Sequence, residues 1–331
     1  MSTVYWKNLN ILITGGTGSL GKTLVKEILK SSPPSMITIF SRNEYKQWEM
    51  KKEFKDYCHK LEFIIGDVRD YKALSDACYG INMIFDTAAI KHVPVCEDNP
   101  LESIKTNIEG SINLVNAAIE NKVESVIHIN TDKAVYPISN YGLTKALAER
   151  IILSGNHIFK NRSTSFTCIR FGNFIGSQGS VIPLFIEQAR EGKIIVTDPR
   201  MTRFFITLED AAKFCIKVSN LNCSKNDIYI PKMKMISIGE VAECIKDIFG
   251  KPGTIIEHTH ERPREKIYED LISDEEIKWT QEFENYYLVR AYEELQLSRT
   301  WGINSNPMYG TSISFEKEEF IEILKKLYLT F

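Results

Sequence analysis

No stretch of this chain approaches the roughly 18 uninterrupted apolar residues that a membrane-spanning helix needs. The start, Met1-Ser-Thr-Val-Tyr-Trp-Lys-Asn-Leu-Asn10, carries no long apolar run either. A soluble, cytoplasmic protein without a membrane partner is the expectation. Cysteine is sparse and unpaired in pattern: Cys58, Cys78, Cys96, Cys168, Cys215, Cys223 and Cys244 are scattered, odd in number and without a Cys-x-x-Cys, which excludes a disulfide framework and a zinc site. The histidines show no metal-ligand spacing, so no metal is expected. A net charge of only -2 gives no general attraction to nucleic acid or to anionic lipid. There is no internal repeat, no low-complexity tract and no Pro/Gly/Ser-rich linker. What remains is a globular chain of 331 residues, longer than one nucleotide-binding domain, so a second lobe built from several excursions is expected.

What the chain does contain begins at its amino terminus. Residues 9–14, Leu-Asn-Ile-Leu-Ile-Thr, read as a buried parallel strand running into Gly15-Gly16-Thr17-Gly18-Ser19-Leu20-Gly21 and then a helix. Glycines spaced in this way let a pyrophosphate approach the backbone and the helix N-terminus, the signature of a dinucleotide site. A second strand, 36–40, ends in Ser41-Arg42-Asn43-Glu44, at the offset where an NAD site places an acid for the ribose hydroxyl. A guanidinium at Arg42 suits a 2′-phosphate, which an acid would repel, so NADP is the expected cofactor.

Strands and helices then alternate: a helix at 44–57, strands at 61–65 and 83–85, a helix at 101–120, a strand at 125–130, a helix at 140–153 and a sixth strand at 165–170. This order predicts an α/β fold, a Rossmann-type doubly wound parallel sheet with a smaller mixed α/β substrate-binding lobe. The motifs fall at strand carboxyl ends, where such sheets bind ligands. They are Gly66-Asp67-Val68-Arg69-Asp70, with Asp67 placed to accept the adenine amino group, then Asp86-Thr87-Ala88-Ala89-Ile90-Lys91, then Thr131-Asp132-Lys133. Eight residues past Lys133 stands Tyr141-Gly142-Leu143-Thr144-Lys145. Tyr and Lys four apart share a helix face, and an ammonium there lowers the phenol from its usual value of about 10. The spacing alone also occurs on ordinary solvated helices, but not behind such a glycine turn and beside such a triplet.

These motifs, together with Lys105-Thr-Asn107, Arg170-Phe-Gly-Asn173, Gly176-Ser-Gln-Gly-Ser-Val-Ile-Pro183, Met201-Thr-Arg-Phe-Phe205 and Glu265-Lys-Ile-Tyr-Glu269, resemble the extended short-chain dehydrogenase/reductases. Within them the chain resembles the inverting UDP-N-acetylglucosamine 4,6-dehydratases of the polysaccharide-biosynthesis type, over nearly its whole length. Three departures stand out: Asp86-Thr87 where the family has His-Ala, Arg264 where it has Gly, and Tyr268 where it has His. The resemblance implies an NADP-binding domain over 1–172 with a return segment near 203–225, and a nucleotide-sugar lobe over 173–202 and 226–331. It implies cofactor contacts from Gly15, Thr17, Gly18, Ser19, Leu20, Gly21, Ser41, Arg42, Asn43, Lys46, Asp67, Val68, Thr87, Ala88, Lys91, Asn107, Tyr141 and Lys145. It further implies substrate contacts from Lys91, Thr131, Asn173, Ser180, Val181, Arg203 and Arg262, and a homo-oligomer, dimer or hexamer.

The expected chemistry is a 4,6-dehydration of a UDP-sugar with internal recycling of hydride. Tyr141, supported by Lys145, accepts the proton of the carbon 4 hydroxyl, which Thr131 hydrogen-bonds, as a ketone forms. Lys133 removes the carbon 5 proton, if neighbouring positive charge and burial lower its pKa, and Asp132 protonates the leaving carbon 6 hydroxyl. Hydride returns to carbon 6, and a proton delivered from the other face inverts carbon 5. An acid stands in place of Lys133 in retaining relatives, so Lys133 marks the inverting outcome. A retaining dehydratase, a carbon 4 epimerase and a non-catalytic dinucleotide sensor remain the alternatives at this point.

Overall fold

A computed structural model describes residues 6–31, 33–158, 164–221, 227–259, 263–290 and 314–329. The central strands among the first six are mostly buried and largely apolar, as strands covered on both faces must be, while the edge strand over Leu61–Ile65 is partly exposed. The six are β1 (Asn10–Thr14), β2 (Met36–Ser41), β3 (Leu61–Ile65), β4 (Met83–Asp86), β5 (Ser125–Thr131) and β6 (Ser165–Phe171), all paired parallel in the order β3-β2-β1-β4-β5-β6. The reversal on either side of β1 creates the crevice above the strand carboxyl ends where a ligand fits.

The later strands are short: β7 (Asn173–Ile175), β8 (Lys193–Val196), β9 (Thr202–Thr207), β10 (Ile228–Pro231), β11 (Lys234–Ser237), β12 (Ile255–His258), β13 (Thr280–Glu282) and β14 (Tyr286–Val289). Here the structure corrects the expected partition. The sequence reading put all of 226–331 into the sugar lobe, but β10 joins β6 in parallel and β14 and β13 follow antiparallel, extending the main sheet to nine strands. The physical reason is plain in β10, whose four residues are all buried. The return segment is divided as well. Strand β9 lies in a separate three-stranded sheet between β7 and β11, whereas the helix Leu208–Ser219 packs back on the helix Ser19–Ser31.

Two cores result. The larger surrounds the nine-stranded sheet. The smaller gathers Phe185, Val241, Ile245, Phe320 and Leu324 from the helices Val181–Glu191, Ile238–Phe249 and Lys317–Tyr328. Among the described residues no helix is long and apolar enough to cross a membrane.

Several elements differ from expectation in ways that bear on the site. The helix expected at 101–120 is broken into Pro100–Ile104, a π-helical turn Lys105–Glu109 and Gly110–Glu120, and Asn107 sits in that turn. The helix starting at Asn140 runs to Ile158 rather than ending at 153.

A buried ion network ties β6 to this long helix. Arg170 donates to Glu149 at 2.6 and 2.8 Å and to Glu276 at 2.6 and 2.9 Å, while Asn130 donates to Glu149 at 2.6 Å. Truncating one partner strands a buried charge, so Glu149→Ala is expected to lower unfolding stability by about 3–5 kcal/mol. Urea denaturation measures it, and a loss under 1 kcal/mol would contradict the network's importance.

Candidate active site

The glycine turn is shaped for a phosphate-bearing ligand. Gly15 has φ +63°, and a Cβ there would sit 2.9 Å from the Ala88 backbone. At Gly21 a Cβ would meet Gly16 Cα at 2.6 Å, so this turn closes only without side chains. The helix Ser19–Ser31 begins directly after it, bringing Thr17, Gly18, Ser19 and Leu20 to its N-terminus. The donor set therefore fits a dinucleotide pyrophosphate.

Beyond β2, Ser41 is buried, Asn43 caps the helix Glu44–Glu53 by accepting from Lys46 N at 2.9 Å, and Arg42 is half-exposed with Asp67 Oδ2 3.6 Å away. Asp67 is not the free acceptor expected for adenine: Arg69 donates to it from its backbone at 3.0 Å and from its guanidinium at 2.9 and 2.6 Å. Burial pushes the Asp67 carboxyl up, but the Arg69 contacts and the Arg42 charge carry it below its ordinary range. Val68 packs on Gly110, where a Cβ would lie 2.9 Å from its Cγ2.

The loop after β4 carries Thr87, Ala88 and Lys91. Thr87 donates its hydroxyl to Thr14 O at 2.7 Å. Asn107 reaches this loop from the π-helical turn but spends its amide within the protein, accepting from Ile90 N at 2.9 Å and donating to Ile90 O at 3.1 Å and to Thr144 Oγ1 at 3.0 Å. It shapes the loop that carries Lys91, in contrast to the direct cofactor contact expected.

From the other lobe the loop 176–180 closes over these residues. Gln178 N donates to Ser19 Oγ at 3.1 Å, Lys46 to Gln178 Oε1 at 3.4 Å, and Lys91 to Ser177 Oγ at 3.4 Å. Burial, with the Lys46 charge, holds Lys91 below the usual lysine value. Ser180 stands at the N-cap position of the helix beginning at Val181 but does not cap it with its side chain, its hydroxyl donating instead to Ser177 O at 2.8 Å.

The reactive cluster lies at the ends of β5 and β7. Thr131 donates to Asp132 Oδ1 at 2.8 Å, and Lys133 Nζ lies 3.0 Å from that oxygen and 3.1 Å from Asn173 Oδ1. The sequence reading placed positive neighbours around Lys133. The structure instead sets it between carboxylates in reach, because Glu269 Oε1 stands 3.9 Å from the same ammonium. Glu269 had no role assigned from sequence; it is buried, and burial holds its carboxyl above the usual range. Asp132 Oδ2 is buried without a hydrogen-bond partner among the described residues.

The long helix meets this cluster closely. A Cβ at Gly142 would lie 2.3 Å from Lys133 O, so only glycine lets Tyr141 and Lys145 approach the Thr-Asp-Lys turn. Both side chains are buried. The phenol departs from expectation: burial pushes Tyr141 up, the Thr131 hydroxyl pulling the other way, so the phenolate is costly. Lys145 is lowered by burial to about 8.

A cavity opens beside the cluster, lined by Lys133, Ser139, Arg203, Arg264, Lys266 and Glu269. Arg203 is not a solvated surface charge. It is buried and donates to Thr202 O at 2.8 Å, Ile267 O at 3.1 Å and Lys266 O at 2.8 Å, so it anchors the cavity wall with donors that a diphosphate clamp would need free. Arg264 has φ +64°, which explains why glycine suits the position, and its guanidinium pairs with Glu97. Glu97 accepts Asn140 N at 2.6 Å, tying the cavity rim to the start of the long helix. Tyr268 is exposed. Arg262 lies outside the described residues.

The family model for polysaccharide biosynthesis proteins matches residues 11–291. The chain belongs to that family. It is 42% identical over 283 residues, 85% of this chain and 82% of the relative, to the inverting UDP-N-acetylglucosamine 4,6-dehydratase of Campylobacter jejuni strain 81-176. It is also 38% identical over 323 residues, 96% and 88% of the two chains, to a UDP-glucose 4-epimerase of Rickettsia rickettsii. Among solved structures, Pen from Bacillus thuringiensis superposes with a TM-score of 0.90 at 35% identity, covering 99% and 100% of the chains. The NAD-bound double mutant of DesIV, a dTDP-glucose 4,6-dehydratase from Streptomyces venezuelae, shares the fold with a TM-score of 0.70 at 20% identity, covering 80% and 88%. The α/β fold, a large parallel sheet with a smaller second lobe, agrees with the architecture expected from sequence.

Proposed function

We propose that this chain is an NADP-dependent UDP-N-acetylglucosamine 4,6-dehydratase that inverts carbon 5, giving UDP-2-acetamido-2,6-dideoxy-β-L-arabino-hex-4-ulose. The observation that carries the reading is the lysine at position 133, held between Asp132 and Asn173 at the cavity wall. An amine at that place is a base for the carbon 5 proton, and the similarity to an inverting dehydratase over most of both chains supports the same outcome.

Bound nicotinamide supplies reversible hydride transfer, out of carbon 4 and back into carbon 6. The residues that would hold the dinucleotide are the glycine turn, Ser19, Arg42, Lys46, Lys91 and Thr87–Ala88. The chain's own side chains manage protons. Tyr141 takes the proton of the carbon 4 hydroxyl, and since burial disfavours its phenolate, a cation must adjoin it; Lys145, on the same helix face, is the one supplied. Transfer of a proton from the Lys133 ammonium to Asp132 across their 3.0 Å contact frees the amine, and Lys133 then receives the carbon 5 proton. Asp132, whose Oδ2 is uncommitted, protonates the departing carbon 6 hydroxyl, which leaves as water. Proton return to carbon 5 from the Tyr141 side inverts that centre. Thr131, Asn173, Ser180, Val181 and Arg262 complete the sugar-nucleotide contacts, with Arg203 acting through the wall it anchors. The exposed apolar side chains of Leu101, Leu143 and Leu147 support a homo-oligomer, dimer or hexamer.

Incubation with UDP-N-acetylglucosamine, followed by proton NMR, tests the reaction. A new methyl doublet is expected. A changed ring coupling without a methyl signal would establish a 4-epimerase instead, and an unchanged sugar would remove the enzymatic reading.

Arg42 supports NADP as the cofactor. With its carboxylate neighbour at 3.6 Å only partly engaging it, its guanidinium is available for a 2′-phosphate. Arg42→Ala is expected to weaken NADP by about 1.5–3 kcal/mol, the loss of a charge-assisted bond, and to leave NAD nearly unaffected. Calorimetric titration with both cofactors checks it; equal weakening would reject the NADP preference.

A further inference from the structure

We propose that Asp86 and His128 are positioning residues for the dehydration, holding Lys145 as an oriented ammonium beside Tyr141 through a buried chain Thr14–Asp86–His128–Lys145. The inference rests on the dehydratase reading above and adds two residues to its machinery. The four groups come from adjacent elements. Thr14, Asp86 and His128 occupy matched register positions on β1, β4 and β5, side by side across the sheet, and Lys145 reaches the row from the long helix. Their exposures are 0%, 5%, 2% and 3%. Thr14 donates its hydroxyl to Asp86 Oδ1. His128 Nδ1 lies 2.6 Å from Asp86 Oδ2, and Lys145 Nζ lies 2.8 Å from His128 Nε2 and 2.8 Å from Ile129 O.

The donor and acceptor inventory fixes the protons. An ionised Asp86 only accepts, so the hydrogen of the imidazole sits on Nδ1. Nε2 then presents a lone pair to Lys145, and the amine must donate to it. A second proton on Nε2 would leave two donors facing each other. The ring is therefore neutral, in keeping with the downward push that burial and the Lys145 charge exert on His128. Against the upward push of burial, the bonds to His128 and Thr14 carry the Asp86 carboxyl below its usual range. Two ammonium hydrogens are engaged by His128 and Ile129, leaving the third for the reaction side.

Other groups that face Lys145 supply less of this charge than Asp86. Cys168 of β6 is a thiol held neutral, since burial pushes it well above its ordinary value. Glu149, one turn along the same helix, is bound by Arg170 and Asn130. Asp86 is thus the carboxylate that favours the ammonium most, ahead of Glu149, through the oriented imidazole. Without it, burial alone would strip the proton and remove the cation that Tyr141 requires.

Two measurements test the chain. In histidine-selective ¹⁵N NMR of the wild-type protein, His128 is expected to show a protonated Nδ1 and a pyridine-like Nε2; Asp86→Asn, whose amide can donate to Nδ1, should move the proton to Nε2. In kinetics, wild-type kcat is expected to fall as pH rises through about 8, where the ammonium is lost. For Asp86→Asn and His128→Phe that fall should move at least about one pH unit lower, lowering kcat roughly tenfold near neutrality with little change in substrate KM. His128→Gln, whose carbonyl can accept from Lys145, should restore most of it. A wild-type Nε2 that carries the proton would overturn the proposal, as would folded Asp86→Asn with the wild-type pH limb. If His128→Phe does not fold, the wild-type nitrogen spectrum and the glutamine variant decide. A wild-type protein that makes no dehydrated product would refute the dehydratase reading and leave the nitrogen test standing on its own.

Discussion

Lys133→Ala is expected to reduce dehydration by about 10²- to 10⁴-fold, the usual contribution of a general base. The geometry demands a second variant beside it. The ammonium lies 3.0 Å from Asp132 and 3.9 Å from Glu269, so its removal leaves two carboxylates facing each other at a buried site and lowers stability as well as rate. Lys133→Arg keeps the positive charge, but a guanidinium does not give up its proton in a protein and cannot serve as a base. If Lys133 only neutralises its neighbours, the arginine variant stays active. If it removes the carbon 5 proton, both variants lose the reaction while cofactor retention and the folded circular dichroism spectrum persist in the arginine variant. Carbon 4 oxidation precedes the step assigned to Lys133, so both variants should still build up reduced cofactor when mixed with substrate. A Lys133→Arg enzyme with near-normal turnover would remove Lys133 as the base and direct attention to Glu269, a buried carboxyl that lines the same cavity.

Much of this site was legible before any coordinates. The first six strands are short, largely apolar runs bounded by turns, and the Thr-Asp-Lys and Tyr-x-x-x-Lys motifs announce themselves by spacing. What stayed hidden depends on contacts between distant residues. Strands β10, β13 and β14 have four, three and four residues, too short for a periodicity, and only pairing shows that they extend the main sheet. The π-helical turn that places Asn107 has no sequence signature separate from an ordinary helix. The sequence gives no reason for Gly142 between Tyr141 and Lys145, and its necessity appears only where Lys133 O fills the space of its missing side chain. Asp86 was visible as a departure from the family pattern, with no indication of its effect. A signal for its partner existed in His128, a histidine inside an otherwise apolar buried strand, but the match between the two is a register fact, fixed by how β4 lies against β5. The direction of the Tyr141 shift was misjudged for a related reason: the pairing with Lys145 is local and readable, whereas the burial that outweighs it comes from the whole fold.

Tyr141→Phe is expected to act one step earlier than the lysine variants and with comparable severity, about 10²- to 10⁴-fold for loss of a proton-transfer group. With no acceptor for the carbon 4 hydroxyl proton, no ketone forms, so mixing this variant with substrate should give no near-ultraviolet absorbance of reduced cofactor. That result separates the two roles on one spectrophotometer: reduced cofactor builds up without Lys133 but not without Tyr141. The wild-type enzyme then reports the stereochemistry. Substrate deuterated at carbon 4 should carry its label into the product methyl group, because the hydrogen removed at the start is the one returned to carbon 6. In heavy water, one solvent deuterium should enter at carbon 5 with inverted configuration, since Lys133 and Tyr141 are assigned to opposite faces of the sugar. Early product with a gluco-type carbon 5 would falsify the inverting assignment, for the proton would then have returned to the face it left. Sampling must precede slow epimerisation beside the ketone, which scrambles carbon 5 without any help from the protein.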